Sequence, residues 1–93
     1  MEGPVGEADA QRADLLRLAA ELAARGYLAA LDSRPGQQTY LVVRNPQAEM
    51  MAERVYADDA FFVWSWHQPV ARRSEVTRAA DVITWVLRTV SPG

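Results

Sequence analysis

The chain has 93 residues, 49% of them apolar and 24% charged, with a net charge of −2, which is enough for one domain around one core and gives no global attraction for nucleic acid or anionic lipid. Cysteine is absent, which excludes disulfides, thiolate catalysis and cysteine-based zinc sites. All ten basic residues are arginines, set against sixteen alanines, a bias expected of a genome rich in G and C.

The opening MEGPVGEA has no basic region followed by an apolar run, so it does not read as a signal peptide. No segment approaches the ~18 consecutive apolar residues that span a bilayer. The expectation is a cytoplasmic protein without a membrane partner, with residues 1–8 a flexible tail, 9–90 a single domain and 91–93 a C-terminal tail. A helix is expected from Asp9 to Arg25, with Asp9 and Asp14 at its positive end and Gly26 as its stop. Leu15, Leu18, Ala19 and Leu22 form its main stripe; Asp14, Arg17, Glu21 and Arg25 its wet side. A second strip, Ala13, Leu16, Ala20 and Ala24, is small enough for another helix to approach.

Strand-like segments follow. Tyr27 to Asp32 is short and alanine-containing; Arg34-Pro35-Gly36-Gln37 is a turn, because Pro presets the first central position and Gly accepts positive φ at the second. TYLVVR, Thr39 to Arg44, is a strand on β-branched and aromatic content, ended by Asn45-Pro46. A third strand is expected over Met51 to Ala57, a tight turn at Asp58-Asp59, and a fourth strand from Phe61 to His67 ended by Pro69. Ser74 is the expected N-cap of a final helix reaching Val90. The fold class is therefore α+β: N-terminal helix, three- or four-stranded antiparallel meander, C-terminal helix, both helices on one sheet face.

A two-residue hairpin at Asp58-Asp59 sets Val55 against Phe62, Glu53 against Trp64 and Met51 against Trp66. That face, joined by Tyr40 and Val42, is the one expected under the helices. The opposite face then carries Leu41, Val43, Ala52, Arg54, Tyr56, Phe61, Val63, Ser65 and His67, more apolar surface than two helices can hide. On the last helix Val76, Ala79, Ala80, Ile83, Leu87 and Val90 mark the inward side. Trp85 falls almost opposite, among Arg78, Asp81, Arg88 and Thr89. A large indole among charges points to contact with something outside the domain, and Arg88, three residues on, can stack on it.

The residues that carry chemistry elsewhere are sparse here. Ser65 and His67 on one strand face stand with Cβ atoms ~6–7 Å apart, with no acid to orient the imidazole. Asp58-Asp59 lacks the further oxygens a hard cation needs, and the five glycines are too scattered for a phosphate loop. Arg72-Arg73 with Arg78 makes a small basic spot, read as a solvated connector; the acidic net charge argues against a nucleic-acid partner. No catalytic, cofactor-binding or metal site is expected.

The helix ending in ELAARGYLAAL, the strand TYLVVR and the tryptophan-bearing FFVWSWH together resemble a group of small uncharacterised actinobacterial proteins, often encoded beside helix-turn-helix regulators and other small partner proteins. The resemblance covers roughly residues 15 to 90 and implies a regulatory or accessory role. The helix–meander–helix plan is also similar to secretion-chaperone-like folds, which dimerise and bind protein segments. The expected function is a non-enzymatic, homodimeric interaction module, binding itself or another protein through the uncovered sheet face (Leu41, Val43, Tyr56, Phe61, Val63, His67), the Trp85 helix face (Trp85, Arg88, Arg78), or both. The alternative is a small-ligand-binding or enzymatic domain with a cleft lined by Tyr56, Phe61, Ser65 and His67.

Overall fold

The computed structural model describes residues 5–88. Helix α1 (Val5–Ala24) is followed by strands β1 (Leu28–Asp32), β2 (Tyr40–Asn45), β3 (Ala48–Ala57), β4 (Phe61–Trp64) and β5 (Pro69–Arg72), and helix α2 (Val76–Leu87) closes the order. The five strands form one antiparallel sheet in sequential order. Both helices lie over one face of it, and the core fills the space between the layers. The α+β expectation holds, with five strands rather than three or four. Among the described residues no helix is long and apolar enough to cross a membrane. Residues 1–4 of the expected N-terminal tail, the expected tail at residues 91–93 and Val90, the expected end of the last helix, lie outside the described residues; α2 ends at Leu87, with Arg88 extended.

Helix α1 begins earlier than the periodicity suggests, so Val5–Ala8 are helical rather than tail. Its end is as expected. Gly26 takes φ 86°, its N–H donates to Ala23 O, and the N–H of Tyr27 donates to Leu22 O; this left-handed close satisfies carbonyls that the helix leaves open. Leu15, Leu18 and Leu22 are buried. The side that meets α2, however, is the one expected to be wet. Arg25 pairs with Asp81 and reaches Thr77 O, while Ala13, Leu16, Ala20 and Ala24 stay exposed. Asp14 is buried, and its partner Arg73 donates Nε to Asp14 Oδ2 at 2.8 Å and Nη1 to the carbonyls of Asp58 and Asp59. Arg73 is thus not a solvated connector: it ties α1 to the β3–β4 turn from the segment entering α2. Its side chain is 10% exposed, so an uncharged replacement leaves Asp14 without that partner in a desolvated place.

The turn at Arg34–Gln37 forms as read, with Gly36 at φ 77° and Gln37 N–H donating to Arg34 O. The β3–β4 turn is centred one residue later than expected. Asp58 N–H donates to Phe61 O, and Asp58 Oδ1 accepts from the N–H groups of Ala60 and Phe61. Val55 therefore pairs with Trp64 and Ala57 with Phe62. This moves the pairing by two residues, an even step that keeps Val55, Phe62 and Trp64 on the covered face.

β2 behaves differently. Asn45 pairs with Ala48, but Arg44 pairs with Ala52, so β3 accommodates three extra residues at that irregularity. An odd step reverses the faces of β2. Leu41 and Val43 are consequently 0% exposed in the core, and Tyr40 and Val42 lie on the open face.

The expected fourth strand, Phe61 to His67, is in fact a shorter strand and a turn, and a fifth strand follows it. β4 stops at Trp64, where Trp64 N–H donates to Gln68 O and His67 N–H to Trp64 O. Pro69 does not end a strand; it opens the edge strand β5, where a missing N–H is tolerated. Trp66, expected beneath the helices opposite Met51, stands exposed in this turn with its ring stacked on Trp64 at 4.9 Å and 5°. The N-cap of α2 is Glu75 rather than Ser74, since Ala79 N–H donates to Glu75 O and Glu75 N–H to Arg72 O. At the other end Asn45, buried, donates Nδ2 to Leu87 O at 2.8 Å and accepts from Gln47 N–H, which closes α2 onto the β2–β3 turn.

Candidate functional site

Among the described residues no buried side-chain polar atom lacks a hydrogen-bond partner. Two surfaces stand out, one on each side of the domain.

The first is the open sheet face. The registers place Leu28, Ala30 and Asp32 of β1, Tyr40, Val42 and Arg44 of β2, Ala52, Arg54 and Tyr56 of β3, Phe61 and Val63 of β4, and Arg72 of β5 on this side. Three arginines stand here against one aspartate, in a chain whose net charge is −2. The arginines cover rings: Arg54 Cζ lies 4.9 Å from the Tyr40 centroid and Arg72 Cζ 5.2 Å from that of Phe61. The Tyr40 and Tyr56 rings are 5.3 Å apart and tilted by 49°.

Where this face meets the β1–β2 loop and the β4–β5 turn it forms a cleft of about 670 Å³, lined by Arg34, Gln37, Gln38, Tyr40, Arg54, Tyr56, Asp58, Val63, Ser65 and His67. Tyr40 donates its hydroxyl to Asp32 Oδ2 at 3.0 Å, and Arg34 Nε sits 3.4 Å from Asp32 Oδ1. Arg54 has no carboxylate within 4 Å among the described residues; its hydrogen bond with Tyr56, and then the field of Tyr40, hold its pKa above the ordinary arginine value. His67 reaches the cleft from a left-handed backbone, φ 69°, a region in which His is enriched among non-glycine residues. Ser65 donates its hydroxyl to Glu53 Oε1 at 3.4 Å, so it engages a carboxylate that points it away from nucleophile chemistry with the imidazole. Such a lining can bind and orient a ligand through cations, amides and ring faces.

The second surface is the outer side of α2. Trp85 is 65% exposed, and Val86 beside it is also exposed. Arg88 lays its guanidinium on the indole with Cζ 3.5 Å from the centroid, and it hydrogen-bonds Trp85 O. Arg25 on Asp81 and Thr77 O, together with Tyr27 Oη donating to Thr84 O at 3.2 Å, fix the side of α2 that faces α1. Helical spacing puts Val82 and Val86 on the side away from α1, and Trp85 with Arg78 between the two sides, opposite the buried Ala79, Ala80, Ile83 and Leu87.

Of the expected interaction residues, Tyr56, Val63 and His67 line the cleft and Phe61 lies on the same face under Arg72. Trp85 and Arg88 form one contact pair and Arg78 is exposed near them on α2. Leu41 and Val43 belong to the core instead. Sequence reasoning missed Tyr40, Arg34, Asp58 and the two glutamines of the loop, and it put Arg54 on the open face without assigning it to a site. The only available signal was the Arg34–Gln37 turn, which brings that loop back over the sheet. Among the described residues no group of three or more His, Cys, Asp or Glu is placed to hold a metal ion. No protein-family model, curated protein or solved structure matches the chain.

Proposed function

We propose that the protein is a non-enzymatic interaction module with a regulatory or accessory role, and that it associates through the Trp85 side of α2, in the first place with a second copy of itself. The observation that carries this reading is the exposed indole with Val86 alongside and Arg88 stacked on it. An aromatic ring with an arginine is the usual chemistry of an interface anchor, worth ~2 kcal/mol or more when a partner desolvates it. A two-fold contact meets the same patch on both copies. The exposed surround on α2 carries Arg78 and Arg88, while Asp81 is already held by Arg25 at the end of α1.

Mass in solution across a dilution series tests it. The native chain is expected to be dimeric at high micromolar concentration and to dissociate on dilution, while Trp85→Ala stays monomeric with its fold intact. A native chain that remains monomeric throughout, indistinguishable from Trp85→Ala, overturns self-association.

A further inference from the structure

The cleft on the open sheet face is independent of the Trp85 surface, and its lining identifies a ligand class. Three properties coincide there. It is concave and about 670 Å³ in volume, within the range of small-ligand sites, about 300–1,000 Å³. Its lining carries two arginines, Arg34 and Arg54, and one aspartate, Asp58; Arg34 is paired with Asp32, whereas Arg54 has no carboxylate within 4 Å among the described residues, so that cation is the one available to an incoming anion. Its floor presents two tyrosine rings, with the guanidinium of Arg54 above one of them. Gln37, Gln38, Ser65 and His67 add polar side chains at the rim.

A simple inorganic anion would use the arginines and leave the rings idle. An uncharged aromatic would use the rings and leave Arg54 uncompensated. We propose that the cleft binds a nucleoside phosphate: the phosphate on Arg54 with Arg34 at the rim, and the base against Tyr40 and Tyr56. Arginine suits this role because its planar fork pairs two oxygens at once and also stacks. Every base has a π-face, so stacking gives affinity with little preference among bases. The same chemistry can arrive as a free nucleotide or within a single strand.

The test is an NMR titration of the full chain with adenosine monophosphate, inorganic phosphate, adenosine and a short oligoadenylate, in the native protein, Arg54→Gln and Arg12→Gln. Arg12 lies exposed on α1, so its variant removes the same charge from elsewhere. Shifts at Tyr40, Arg54, Tyr56, Val63, Ser65 and His67 are expected with adenosine monophosphate at about 1 mM or below. Arg54→Gln is expected to weaken binding about tenfold while keeping the native spectrum elsewhere, and Arg12→Gln to leave it unchanged. Tighter binding of oligoadenylate assigns the cleft to single strands and equal binding assigns it to free nucleotides; either supports the proposal. It is overturned if the cleft resonances do not move, if inorganic phosphate or adenosine alone binds as tightly as the nucleotide, or if both arginine variants lose affinity equally. Because Trp85 is remote from the cleft, Trp85→Ala should bind nucleotide normally, which separates failure here from failure of the association reading.

Discussion

On the open sheet face and on the outer side of α2 the same contact recurs, an arginine laid over an aromatic ring, but it is built in two ways. On α2 both members come from one helical turn, Trp85 and Arg88, and the result is a single convex anchor. On the sheet the arginine comes from a neighbouring strand: Arg54 of β3 over Tyr40 of β2, and Arg72 of β5 over Phe61 of β4. Cross-strand pairing repeats the contact across a twisted surface, and a loop and a turn wall it into a cleft. The convex pair is suited to insertion into another protein, whereas the concave one can surround a small ligand. Chemistry of the residues alone does not separate these outcomes; the geometry of the element beneath them does.

The contrast depends first on which face of the sheet is open, and adjacent residues of β2 test that with the largest effect. Leu41→Ala is expected to destabilise the fold by about 3 kcal/mol, because it removes a fully buried side chain and leaves a cavity. Val42→Ala, on the open face, is expected to cost less than about 1 kcal/mol. Chemical denaturation midpoints of the two variants check this, and comparable losses would mean that the face assignment is wrong. A smaller effect is expected at Asn45, which holds the last turn of α2. Asn45→Ala is expected to cost about 1–2 kcal/mol and to raise hydrogen exchange around Trp85 more than around Tyr40 and Tyr56. Equal exchange at the two surfaces would show that α2 does not depend on this bond. The smallest effects on stability belong to the surface residues themselves. Trp85→Ala and Arg54→Gln should each stay within about 0.5 kcal/mol of the native protein while losing different functions, dimer mass in the first and nucleotide affinity in the second. Loss of both by either variant would merge the two surfaces into one.

Much of the helix layer was legible in the residues. The Leu15, Leu18 and Leu22 stripe, the Gly26 stop and the outward Trp85 follow from a 3.6-residue period, which acts within one element. The sheet was legible only up to its register. The move of the β3–β4 turn by one residue changed pairing by an even number, so Phe62 and Trp64 stayed on the expected face. The irregularity between Arg44 and Asn45 changed it by an odd number, which sent Leu41 and Val43 inward and brought Tyr40 out to the cleft. Trp66 was misplaced for a related reason: the bonds between Trp64 and residues 67–68 end β4 before it, and alternation no longer applies.

The sequence by itself determined that two helices flank an antiparallel meander, the turn at Arg34–Gln37 and the helix side on which Trp85 stands, since each depends on dihedral preferences and periodicity over a few residues. Tertiary structure alone decided that α2 packs on the charged side of α1, that Arg73 is buried with Asp14, and that Tyr40, Arg54 and His67 share a cleft. These arrangements join residues distant along the chain. They are selected by which faces can be buried together and by how many extra residues a strand absorbs, and no local pattern contains that information.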